Sequence, residues 1–329
     1  MISSADKKRI GIFLIFSFGL AWLVSLVIYL NGGLQNSPIV IAPLNLTLAG
    51  LLIASSVMVS PALANLLTRL ITHEECSNLM LRPGLNQKSG LWWLLAWVLP
   101  TLGTVLGALL FFALFPQYYD PTLSVLSSAA ASAANGQSAT ALSPWVLLVI
   151  SALQGMFLSP FLNGIFTFGE EFGWRAYLLP KLLPLGERKA VLLSGIIWGA
   201  WHWPLIAMGH NYGTDYFGYP WLGMGMMVVF CIALGTMLSW LTLKEGSVWP
   251  AVIGHAGING MAALGVYALK GSPNPLLGPT PAGIVGGAFF ILLAGALLLL
   301  PGALSAGKPK AHWVSQPIES AAPTEERSV

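Results

Sequence analysis

Charge is what this sequence has least of. Asp, Glu, Lys and Arg make up 8% of its 329 residues, where a soluble domain carries about 25%. With 56% of the residues apolar, so few charges cannot cover the surface of a soluble globule of this size. That excludes a soluble enzyme, a disordered chain and a nucleic-acid-binding module. The net charge of +3 is too weak to suggest a polyanionic partner. Cysteine is nearly absent too. Cys76 lies in a polar connection and Cys231 in an apolar run, which supports neither a disulfide framework nor a cysteine metal site. There is no internal repeat, so the inverted-repeat signature of many transporters is missing. No small-residue cleavage site follows the first apolar run. That run is also too long for the core of a signal peptide, and it is read as a first span.

Long apolar runs are what the chain does have. Eight are long enough to cross about 30 Å of hydrocarbon at 1.5 Å per residue: roughly Ile10–Leu30, Ile41–Leu67, Leu91–Phe115, Trp145–Phe168, Ala190–Met208, Trp221–Leu243, Val248–Leu269 and Gly283–Leu300. If every run crosses, 14 of the 15 Lys and Arg fall on one side and only Lys270 on the other. Such an asymmetry puts both termini in the cytoplasm. The expectation is an all-α, polytopic transmembrane bundle of about eight spans over residues 1–302, followed by a disordered cytoplasmic tail, 303–329. The protein would be an integral, multi-pass component of the plasma (inner) membrane, with the lipid bilayer as its surroundings. The Ala/Ser-rich stretch Pro116–Ser143, whose one charge is Asp120, reads as a flexible external loop.

Ionisable residues at membrane depth are expensive and mark function by default. They fall into three clusters. Gly169-Glu170-Glu171-Phe172-Gly173-Trp174-Arg175 closes the fourth run. Glu171 and Arg175 are one turn apart and can pair. Glu170 is about 100° round the helix, which leaves it free. In the fifth run, Trp198-Gly199-Ala200-Trp201-His202 puts Trp198 and His202 on one face, with Gly195 and Gly199 inviting another helix to approach closely. In the seventh, His255 and Asn259 are again one turn apart. Taken singly, these are an ordinary ion pair, a packing histidine and an interhelical hydrogen bond. Together they lie where all three can face one cavity. A carboxylate, two imidazoles and a carboxamide suit amide hydrolysis: a Glu or a His takes a proton from water, and a His and an Asn donate to the developing oxyanion. Neither an H-E-x-x-H pair nor a G-x-S-x-G elbow is present.

The three motifs have a family likeness. EEFGWR fits E-E-x-x-x-R, WGAWH is similar to F-x-x-x-H, and HAGIN fits H-x-x-x-N. In that order they resemble the CPBP family of CAAX-protease and bacteriocin-processing intramembrane endopeptidases, related to the type II CAAX prenyl endopeptidases. The resemblance covers about residues 145–269. It implies that Glu170 activates water with help from His202, that His255 and Asn259 stabilise the oxyanion, and that Glu171 and Arg175 are supporting residues. Trp198 stands where the family has Phe, which implies a change of pocket shape rather than of chemistry. The implied substrate is a peptide, protein or lipidated peptide, with no nucleic-acid partner. Similar proteins are often labelled metalloproteases, and Glu170, His202 and His255 make a His₂Glu zinc set in principle. A mechanism without metal or other cofactor is preferred, because no two of these ligands share a helix turn. The competing readings are a non-catalytic scaffold or immunity-type factor and a proton-coupled carrier.

Overall fold

The computed structural model describes residues 1–83, 88–133 and 142–306. Nearly all secondary structure in this range is helical. Helix α1 (Ser4–Leu30) is capped by the Ser3 hydroxyl, which accepts from the Asp6 N–H. A two-stranded antiparallel hairpin, β1 (Ile39–Ile41) and β2 (Leu46–Thr47), precedes a bent helix. This helix starts as α2 (Leu48–Leu52), passes through a π-helical turn (Ile53–Val57) and resumes as α3 (Ser60–Ile71). The second expected span therefore begins after the hairpin, not at Ile41. Next come α4 (Ser89–Leu114), with Pro100 inside it, then α5 (Ser124–Ala133), α6 (Pro144–Phe157), α7 (Ser159–Leu162) and α8 (Gly164–Gly173). A second π-helical turn (Trp174–Leu178) leads to α9 (Leu179–Leu182). The rest of the chain forms α10 (Glu187–Trp201), α11 (Trp203–Ile206), α12 (Trp221–Glu245), α13 (Trp249–Met261), α14 (Leu264–Tyr267) and α15 (Ala288–Leu299).

Among the described residues, five helical stretches are long and apolar enough to cross a membrane: Ser4–Leu30, Leu48–Ile71, Ser89–Leu114, Pro144–Leu162 and Trp221–Glu245. The chain is thus an all-α, multi-pass membrane protein. The other three of the eight expected spans are built from shorter helices, and the reason is local. Pro204 has no N–H and crowds the carbonyl four residues before it, so α10 stops at Trp201 instead of running on to Met208. The seventh run divides into α13 and α14. In the eighth, Gly283 and Gly286 lie against the backbone of residues 277–280, where no Cβ would fit. The helix therefore starts only at Ala288.

Helix α12 is the core of the bundle. Met227, Cys231, Leu234, Leu238 and Leu241 are buried along it, and it packs against α4, α10, α13 and α15. Gly195 and Gly199 of α10 meet it directly. A Cβ at Gly199 would lie 2.5 Å from the Val228 Cα. The stretch expected to be a flexible loop is more ordered than that. The Asp120 carboxylate accepts from the N–H and hydroxyl groups of both Thr122 and Ser124 and starts α5. The Asp120 N–H donates to the Ala268 carbonyl, at 2.9 Å. The Ser124 and Thr122 hydroxyls, followed by the two backbone N–H groups, hold this carboxyl well below the usual carboxylate range. Both cysteines are free, Cys76 exposed and Cys231 buried. The expected tail lies outside the described residues from position 307 onward.

Candidate active site

Small residues bring α8 close to the start of α3. A Cβ at Gly169 would sit 2.6 Å from the Met58 carbonyl oxygen, and one at Gly173 would strike Pro61. The contact is pinned by Asn65 of α3. Its carboxamide donates to the Phe172 carbonyl at 2.9 Å and accepts from Arg69 Nε at 2.8 Å. On the opposite side of α8, the Thr167 hydroxyl donates to the Val252 carbonyl of α13 at 3.1 Å. The helix that carries the paired glutamates is thus fixed to both neighbours before any catalytic group is considered.

Glu170 and Glu171 are both buried. Glu171 Oε1 accepts from Arg175 Nη1 at 3.0 Å, as the helical spacing predicts, and also from His255 Nδ1 at 2.8 Å. Arg175 sits in the π-helical turn, and its guanidinium stacks on the Trp198 ring at 4.3 Å. Glu170, expected to be free, is not. Its Oε2 accepts from the Trp198 indole N–H at 2.7 Å. This bond runs through the indole N–H, a group that phenylalanine lacks. The other face of the site is formed by His255, whose ring meets Trp198 edge to face at 5.2 Å.

His202 lies just past the end of α10, not inside a continuous span. Its Nδ1 is 2.8 Å from the Trp198 carbonyl. A carbonyl only accepts, so Nδ1 carries the proton and Nε2 keeps its lone pair. His255 also binds through Nδ1, which donates to the Glu171 carboxylate, and its Nε2 makes no hydrogen bond among the described residues. Glu170, Trp198, His202, His255 and Asn259 line one chamber. Glu171 and Arg175 stand behind it. The helices α8, α10 and α13 thus bring the four proposed catalytic residues together from positions 89 residues apart in the chain. Two lining residues escape a reading of the spans. His210 and Asn211 belong to the connection after α11, and a search for ionisable groups at membrane depth passes over them.

Among the described residues, no group of three His, Cys, Asp or Glu side chains is placed to hold a metal ion. Glu170 Oε2 accepts from Trp198, and each histidine is held through Nδ1, which leaves its Nε2 without a hydrogen-bond partner among the described residues.

Residues 141–261 match the family described as type II CAAX prenyl endopeptidase, Rce1-like. The segment is similar to that family. It contains all three motifs and every site residue named above. A CAAX prenyl protease 2 from Methanococcus maripaludis is 34% identical to the chain over 93 residues. That match covers 27% of this chain and 34% of the relative, so the chain spans about a third of the length of the curated protein it matches. The matched segment runs from α6 through α13. It therefore includes α8, α10 and α13, which supply the chamber, and the long central α12.

Proposed function

We propose that this chain is an intramembrane endopeptidase that hydrolyses a peptide bond in a membrane-associated or lipidated substrate. One observation carries the reading: Glu170, His202, His255 and Asn259 meet in one chamber although they come from three separate helices. A bundle has no packing need to gather two imidazoles, a carboxylate and a carboxamide around open space.

The chemistry follows from the free atoms. A water held between the second oxygen of Glu170 and His202 Nε2 gives its proton to that pair and attacks the scissile carbonyl carbon. The carbonyl electron pair moves onto oxygen, where the Asn259 carboxamide N–H donates a hydrogen bond, joined by His255 Nε2 when that nitrogen also carries a proton. Collapse breaks the C–N bond, and the proton taken from water passes to the leaving amine. Trp198 orients Glu170, while Glu171 and Arg175 orient His255. No step requires a metal. The chamber wall includes Met227, Phe230, Leu234 and Ile258, which suits an apolar substrate group beside the reacting bond. The name of the matched relative supports the same substrate class.

The test is cleavage of a fluorogenic reporter peptide by the full chain in lipid nanodiscs. Glu170→Gln and His202→Ala, each checked for folding, should abolish turnover. Cleavage at the parental rate by both would overturn the reading.

A further inference from the structure

The chamber has a polar end that the proposed chemistry leaves unused. Past α11, the chain turns through Gly209 (φ +93°), His210, Asn211 (φ +65°), Tyr212 and Gly213 (φ +68°). Left-handed backbone at a residue that is not glycine is uncommon, and Asn tolerates it better than most. This turn is held firmly. His210 N–H donates to the Leu205 carbonyl at 3.0 Å, Tyr212 N–H to the His210 carbonyl at 2.8 Å, and Gly213 N–H to the Gly209 carbonyl at 2.9 Å. The buried Tyr212 hydroxyl donates to the Ala282 carbonyl at 3.0 Å, joining the turn to the segment that follows α14. His210 and Asn211 therefore line the chamber from a rigid support.

Their side chains are uncommitted. The His210 ring makes no hydrogen bond among the described residues. The Asn211 carboxamide reaches only the Met227 thioether, at 3.7 Å, and sulfur is a weak acceptor. No Lys or Arg lines the chamber, so an anionic group would meet no permanent cation there. A neutral unit with one donor and one acceptor is the natural match for an Asn carboxamide beside an imidazole, and the peptide group is such a unit.

We propose that His210 and Asn211 form a subsite that binds the main chain of a peptide substrate through hydrogen bonds to one peptide unit beside the scissile bond. This rests on the endopeptidase reading and adds to it a residue pair that selects an extended, amide-bearing chain. The pair holds the substrate and takes no part in the proton transfers.

The test uses the full chain in nanodiscs and reporter peptides in which single amides flanking the scissile bond are replaced by esters, which removes one N–H each. For the parent, one ester position should lower kcat/KM about three- to tenfold, the weight of one hydrogen bond, mostly through KM. Asn211→Gly keeps the left-handed backbone and removes the carboxamide. It should raise KM by the same factor on the all-amide peptide, leave kcat within twofold and lose the ester effect. In a Glu170→Gln background, which should not cleave, the affinity of a labelled peptide read by fluorescence anisotropy should fall about three- to tenfold when Asn211→Gly or His210→Ala is added. Unchanged KM and unchanged affinity in these variants would overturn the subsite. Parental cleavage by Glu170→Gln itself would instead overturn the hydrolytic reading, while the affinity measurement still decides the subsite.

Discussion

His255 Nδ1 lies 2.8 Å from the same Glu171 oxygen that Arg175 Nη1 reaches at 3.0 Å. One buried carboxylate oxygen therefore holds two cationic or donor groups from different helices. Its other oxygen, Oε2, has no hydrogen-bond partner among the described residues. Together with the Thr167–Val252 hydrogen bond, the bonded oxygen joins α8 to α13.

Removing Arg175 should therefore cost stability as well as activity. Arg175→Ala leaves the Glu171 charge buried with His255 alone, and breaking a buried pair from one side costs about 3–5 kcal/mol. Thermal unfolding in detergent should show a large downward shift. A variant with parental stability but no turnover would assign Arg175 to substrate contact instead. Glu171→Gln keeps the shape but removes the charge. It should unfold at a higher temperature than Arg175→Ala and cleave the reporter up to about 10²-fold more slowly, because the oxyanion donor His255 has lost its anchor.

Trp198→Phe should separate ring from N–H. The stacking under Arg175 and against His255 is kept, and the Trp198 carbonyl that receives His202 is part of the backbone. Only the donor to Glu170 goes. A hydrogen bond to a charged group contributes about 1.5–3 kcal/mol. The expected result is a folded variant with lower unfolding temperature and reduced kcat. Parental kcat would make Trp198 a packing residue.

Glu170→Gln and His202→Ala should not add. If both act on one water, the double variant is about as inactive as either single one. Asn259→Ala deletes one oxyanion donor and should retain a residue of activity, lowered roughly 10²–10³-fold. A strong chelator should leave the parent rate unchanged. Loss of cleavage that zinc restores would overturn the metal-free scheme.

Asp120 supplies a pH prediction outside the bilayer. Its folded carboxyl is held below the ordinary range by Ser124 and Thr122, so the ionised form stabilises the fold. That contribution is fully present above the unfolded value of about 3.9 and is lost as pH falls through the lower folded one. The difference in unfolding temperature between the parent and Asp120→Ala should thus be constant from pH 7 to about 5 and shrink below about 4. A difference that shrinks above pH 5 would assign the effect to another group.

Much of this was legible in the residues. The apolar runs predict an all-α membrane bundle, the i, i+4 spacing of Glu171 and Arg175 predicts their ion pair, and Gly195 with Gly199 predicts a close helix contact. Helix periodicity relates residues on one helix, and there the reading is reliable. It says nothing of partners across helices, so neither the Trp198–Glu170 bond nor the His255–Glu171 bond follows from it. Span lengths drawn from hydropathy alone also overreach where Pro204 or the glycines around 283–287 end a helix that the composition would continue. His210 and Asn211 were invisible for another reason: nothing local marks a polar connection as the wall of a chamber whose other residues lie on both sides of it in the sequence.

The short helices have a consequence for the surrounding lipid. With 15 and 12 residues, α10 and α15 rise only about 22 and 18 Å, against about 30 Å of hydrocarbon. Both flank α12 and turn leucines outward, among them Leu193 and Leu292. Each of these helices taken alone is shorter than an ordinary hydrocarbon core is thick. Acyl chains here must compress or the helices must be drawn inward. Exposed Trp203, Phe217 and Trp221 provide the aromatic anchors that fix an interfacial level. Under the proposed function, shorter-chain lipids are expected to bring interfacial water nearer His202 and to raise cleavage of the reporter peptide, which vesicles of differing acyl-chain length would test.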